Sequence, residues 1–171
     1  VSKNTIQVCA CLGSTFTCAD LVVALEVDSV VVQERCQSLL ASGLLSQQEA
    51  TYRFAHDRVQ EAAYLQIPER KRPKLHYDIG IRLRLRLEGD RERLHSDLFA
   101  IVGHLNVGRE FCLEDSARED LLKLNLLAAE RARQAIAYDV ALSHSRVAQS
   151  LLQEDCWSDQ FELSYAVLRE L

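Results

Sequence analysis

The triplet His56-Asp57-Arg58 is the part of the sequence best placed to do binding chemistry. It falls where an alternating stretch, Thr51-Tyr52-Arg53-Phe54, gives way to a helical period. At such a junction free backbone N–H groups and the positive end of the helix dipole favour an anion, and an imidazole there can donate to a phosphate oxygen. A local reading competes with this one: Asp57 and Gln60 cap the first turn of the helix, and His56 satisfies a nearby carbonyl. No G-x-x-x-x-G-K-[ST] loop, G-x-G-x-x-G turn, H-E-x-x-H pair or G-x-S-x-G elbow occurs in the chain. His56, His76, His95, His104 and His144 are spread over separate helical segments, so neither a metal centre nor a Ser/Cys-His pair is expected. The cysteines Cys9, Cys11, Cys18, Cys36, Cys112 and Cys156 form no Cys-x-x-Cys pair, and four of them sit in apolar helical patterns. They are read as buried free thiols, which implies a reducing, cytoplasmic setting. The expectation is therefore no catalytic residue, no metal and no resident cofactor.

The elements that must position the triplet come from a composition that leans all-α. Of 171 residues, 48% are hydrophobic and 26% charged, while 6 Gly and 2 Pro are too few for a turn-rich sandwich. No apolar run approaches the ~18 residues that span a bilayer, and no methionine opens the chain. It reads as an internal piece of a longer soluble protein, with no membrane partner.

The first helix is expected over Thr5 to Leu12, stopped by Gly13. Thr17-Cys-Ala-Asp20 has the capping-box spacing for a second helix through Glu26. A third follows, capped by Asp28 or Ser29, with Val32, Cys36, Leu39 and Leu40 on one face and Gly43 at its end. Leu44-Leu45, a polar connection Ser46 to Glu49, and Thr51 to Phe54 then predict a β-hairpin. Three helices followed by a hairpin is a winged-helix layout over residues 1–67, with the wing near 44–54 and Val27 to Ser42 as its third helix.

From Asp57 the period is helical again, with Val59, Ala62, Ala63 and Ile67 on one face. The strict alternation Ile81-Arg-Leu-Arg-Leu-Arg-Leu87 suits a strand by pattern. Its Leu and Arg favour helix, and no partner strand is near, so helix is expected. Residues 68–111 form a helical connector that includes the amphipathic face Leu94, Leu98, Ile101 and Leu105. Residues 112–171 are expected as an antiparallel array of the tetratricopeptide type. Ser116-Ala-Arg-Glu119 opens its first helix as a second capping box, and Leu121, Leu124, Ala128, Ala132 and Ala135 form the inner stripe. A helix from Asp139 carries Ala141, Ser145, Ala148 and Leu152, and a last one carries Trp157, Phe161, Tyr165 and Leu168.

The winged-helix layout raises a second function, a DNA-binding transcriptional regulator with a helical effector domain. Charge opposes it: residues 1–50 carry net −3, and Asp28 to Ser42 offers one Arg among two acids. The basic excess, net +4, lies in residues 51–93, and its Arg70-Lys-Arg72 patch with Lys74 reads as a solvated helix start.

Tyr52-Arg-Phe-Ala-His-Asp-Arg-Val-Gln-Glu-Ala-Ala-Tyr64 resembles a motif of bacterial STAND-type AAA+ ATPase regions, as do Ile67-Pro-Glu69, Leu75-His76, Ile79-Gly80, Phe99-x-Ile101-Val-x-His104-Leu-Asn106, Asn125-Leu126, Ala137-Tyr138 and Leu151-Leu152 with Trp157. Such regions belong to large signal-transduction proteins that combine serine/threonine-kinase and sensor-histidine-kinase domains. The resemblance spans essentially the whole chain. It implies a non-catalytic regulatory and protein-interaction segment that follows an upstream nucleotide-binding domain, with ATP or ADP held by the parent protein and not by this part. It further implies that His56 takes the place of the histidine that touches the bound diphosphate in related ATPases and Asp57 that of the aspartate after it, with Arg58 beside them as part of the nucleotide-sensing triplet. Ala55 departs from the bulky residue that usually precedes the histidine.

Overall fold

The computed structural model describes residues 2–87, 89–152 and 161–170. Cys156 and Trp157 lie outside these, as do the side chains of His95 and Phe161. The chain is mainly helical with one small antiparallel sheet, and it divides into two compact units, Val1–Gly89 and Asp90–Leu171.

The first unit runs α1 (Ser2–Leu12), β1 (Thr15–Thr17), α2 (Cys18–Leu25), α3 (Ser29–Ala41), β2 (Leu45–Gln48), β3 (Thr51–Phe54), α4 (Asp57–Leu65), a 3-10 turn at Glu69–Lys71 and α5 (Arg72–Arg86). The expected hairpin is β2 and β3, but its turn is tighter than the sequence suggested. Gln48 pairs with Thr51, so Ser46 to Gln48 are strand, and only Glu49 and Ala50 connect. A two-residue loop needs a left-handed first residue, and Glu49 supplies it at φ 53° although Gly or Asn is the usual choice. A third strand joins: β1 lies on the other edge of β3 with Phe16 opposite Tyr52, giving the order β1-β3-β2. Phe16 stacks on Tyr52 at 6.2 Å and meets Phe54 edge-on at 6.0 Å. These rings turn inward to Val8, Cys9, Leu21, Val32, Cys36 and Leu39, all buried.

The Thr17 capping box forms as expected: Thr17 Oγ1 accepts from the Asp20 N–H, and the Asp20 carboxylate accepts from the Thr17 N–H at 2.9 Å. At the other end of α2 the last carbonyls need donors, and α5 brings them. Arg82 donates to Ala24 O at 2.7 Å and pairs with Glu26 at 2.6 Å, while Arg86 pairs with Asp20 at 3.2 Å. The alternating segment is thus helix, as expected. Ile79, Leu83 and Leu87, four residues apart, are its buried face, and alternate arginines reach α2.

The second unit contains α6 (Arg91–Val107), a 3-10 turn at Arg109–Phe111, α7 (Asp115–Gln134), α8 (Tyr138–Ser150) and α9 (Phe161–Glu170) among the described residues. Ala128 and Ala132 on α7 and Ala141, Ser145 and Ala148 on α8 are buried, so small residues let the two helices pack closely. Two expectations fail here. The Ser116 box does not form, because α7 begins at Asp115 with Glu114 as an N-cap that makes no side-chain bond. Ala135 is exposed, and on α9 Tyr165 and Leu168 face solvent while Ser164 and Val167 point inward.

Both α3 and α7 end in the same six-residue closure. Leu44 N–H bonds Leu39 O and Gly43 N–H bonds Leu40 O; likewise Ala137 N–H bonds Ala132 O and Ile136 N–H bonds Arg133 O. The left-handed position is Gly43 (φ 69°) in the first and Ile136 (φ 61°) in the second. A β-branched residue there costs roughly 1–2 kcal/mol, and Ile136 is 72% exposed, so little burial offsets the strain. Ile136→Gly should raise the unfolding free energy by about 0.5–1 kcal/mol, the relief exceeding the added chain entropy. Urea unfolding checks this, and an unchanged or lower midpoint would contradict the strain.

Candidate functional site

The ladders on both edges of β3 fix where its chain leaves the sheet. Tyr52 and Phe54 are anchored in the core, and Ala55 N–H still bonds Leu44 O at 3.1 Å. His56 follows with extended backbone, φ −147° and ψ 145°, and α4 starts at the next residue. The junction therefore brings the triplet to the first turn of a helix, as its spacing predicts. His56, Asp57 and Arg58 are all exposed.

The capping expectation is corrected. His56 is the N-cap residue and Asp57 already the first helical one, and no side chain caps the backbone. Asp57 is one residue too far along the helix to play the cap. Nor does His56 satisfy a local carbonyl: among the described residues none of the three side chains makes a hydrogen bond or ion pair. Val59 N–H is taken by His56 O at 2.9 Å, while the N–H groups of Asp57 and Arg58 precede the helical ladder. The arrangement offers donors and an unneutralised cation to an anion, with Asp57 as a repulsive group beside them.

Several other polar groups are engaged within the fold. Tyr64 Oη meets His76 Nε2 at 3.2 Å, and Arg72 lies 5.0 Å over the Tyr64 ring while donating to Ile67 O at 3.0 Å. Burial holds the His76 imidazole below its usual pKa. In the second unit Asn125, fully buried, exchanges amide bonds with Asn106 at 2.9 and 2.8 Å and donates to Leu121 O at 3.0 Å. Its oxygen faces His144 Nδ1 at 3.0 Å, so that nitrogen carries the proton. Burial lowers the His144 pKa as well. A polar Asn inside the apolar run Leu124 to Leu127 was the signal for this network, and sequence reasoning used it only as part of a resemblance.

The thiols are poor nucleophiles. Burial pushes Cys11 up to about 12 and Cys36 up to about 11, and raises Cys9 and Cys112 as well. Cys9, Cys11, Cys36 and Cys112 are buried and free, as expected, and Cys18 is half-buried. Among the described residues no three His, Cys, Asp or Glu side chains gather as a metal site, and no helix is long and apolar enough to cross a membrane.

The depressed imidazoles set an acid limit. A folded-state pKa below the unfolded value of about 6.5 means the unfolded chain binds the proton more readily. The stability these groups contribute is complete above that value and is lost as pH falls below it. Urea midpoints should therefore decline between about pH 7 and pH 5, above most carboxylate titration. His76→Gln, which keeps a partner for Tyr64 Oη, should flatten the decline; an unaltered slope would contradict the assignment.

No protein-family model matches the chain, and no curated protein or solved structure shows significant similarity to it.

Proposed function

We propose that the chain is a non-catalytic regulatory segment of a larger signalling ATPase. In this reading a winged-helix-like unit senses the nucleotide state of an upstream nucleotide-binding domain, and a tetratricopeptide-like helical unit engages protein partners. The observation that carries the reading is the exposed, unpartnered His56-Asp57-Arg58 at the β3–α4 junction. The element order helix, strand, helix, helix, strand, strand, with β1 on the outer edge of β3, supports the winged-helix assignment. The close-packed small-residue faces of α7 and α8 support the repeat assignment.

His56 and the first amides of α4 would donate to the phosphates of ADP held by the neighbouring domain. Binding of this unit to the ADP-loaded domain more tightly than to the ATP-loaded one would hold the parent closed, and exchange would release it. No bond is made or broken in this segment. The DNA-binding alternative gains from the same element order but not from charge. The single basic residue of α3, Arg35, is half-buried, with its nearest acceptor Thr5 Oγ1 at 3.5 Å.

A hydrogen bond to a charged phosphate contributes about 1.5–3 kcal/mol, so His56→Ala in the intact parent should speed ADP release by roughly 10- to 100-fold. Thermal unfolding of the 171-residue chain should not change, because the imidazole is exposed and makes no hydrogen bond or ion pair among the described residues. ADP release at the wild-type rate would overturn the sensor role.

A further inference from the structure

An open groove of about 610 Å³ lies between the C-terminal end of α2 and the first two turns of α3 and is lined by Val22, Glu26, Val27, Asp28, Val31 and Arg35. Its floor is aliphatic, and Val30 beside it is 62% exposed. Its charges are unevenly satisfied. Glu26 is engaged by Arg82. Asp28 sits at the N-cap of α3 but makes no cap bond, and it has no ion pair among the described residues. Arg35 has no carboxylate partner among them either: its Nε is buried without an acceptor, and Nη1 reaches only Thr5 Oγ1 at 3.5 Å. Asp28 and the Arg35 guanidinium thus each lack a counter-charge among the described residues.

The spacing identifies what would supply it. Asp28 and Arg35 are seven residues apart, two turns of helix and about 10 Å along one face, with Val31 midway. One end of the stripe is acidic, the other basic and the centre aliphatic. Such a stripe is complementary to itself when reversed. We propose that this face of α3 is a docking surface for a second copy of the chain, with the two α3 helices antiparallel across a two-fold axis near Val31.

In that arrangement each Asp28 meets the other copy's Arg35, and the valines close over each other at the axis, so one patch serves both copies. The aliphatic floor supplies the attraction and the charges set orientation, so the association is weak and salt-sensitive.

Sedimentation equilibrium of the full chain over a concentration series tests this, with circular dichroism to verify that each variant is folded. The wild type should form a dimer that weakens with added salt. Asp28→Lys and Arg35→Glu should each raise the dimer Kd at least tenfold, because each places like charges opposite one another twice. Mixing the two variants should restore dimer, since the two reversed charges then face each other across the axis and the unaltered pair remains. A wild type that stays monomeric at millimolar concentration, single variants that dimerise normally, or a mixture of folded variants that fails to associate would each overturn the proposal.

Discussion

Hydrogen bonding on both edges of β3 is the constraint on which the first unit depends. Four residues, Thr51 to Phe54, pair with β1 on one side and β2 on the other. That double pairing leaves no freedom in where Tyr52 and Phe54 point, so both enter the core with Phe16. It also sets the exit of the chain into α4. A two-stranded hairpin alone would be marginal in water, and its end would not be a fixed point. With β1 in place, His56 leaves a three-stranded sheet at a fixed point, although its side chain makes no hydrogen bond or ion pair among the described residues.

The same economy explains why the other polar groups are not part of that site. Arg82 and Arg86 serve the ends of α2, Tyr64 and His76 serve each other, and Asn125 ties Asn106 and His144 across three helices. These groups hold elements together. The side chains of the triplet at the β3–α4 junction, like that of Asp28 at the start of α3, are exposed and make no hydrogen bond or ion pair among the described residues.

Much of the fold was legible in the sequence where one face of an element had to be buried. Val32-Cys36-Leu39 and Leu98-Ile101-Leu105 marked helices, and the arginine-leucine alternation of α5 resolved correctly because leucines four apart still line one helical face. What escaped was decided by pairing across the chain. β1 is three residues long and has no pattern of its own; it exists because β3 had an open edge. The Glu49 turn and the Ile136 closure place residues in left-handed backbone that their own preferences oppose, so packing of the flanking elements imposes them. The Ser116 box had the right letters, yet α7 begins ahead of the position they require. For the candidate site, position was legible and capping was not: a shift of one residue turned Asp57 from a cap into an exposed carboxylate.

The central claim is that the start of α4 is an anion-facing site. Titrating the chain with inorganic pyrophosphate while following backbone amides by NMR tests it most directly. The account predicts a saturable, salt-sensitive shift confined to Asp57, Arg58 and Val59 and abolished by His56→Ala. No shift at these amides, or shifts of equal size scattered over the basic surface of α5 and unaffected by that substitution, would contradict it.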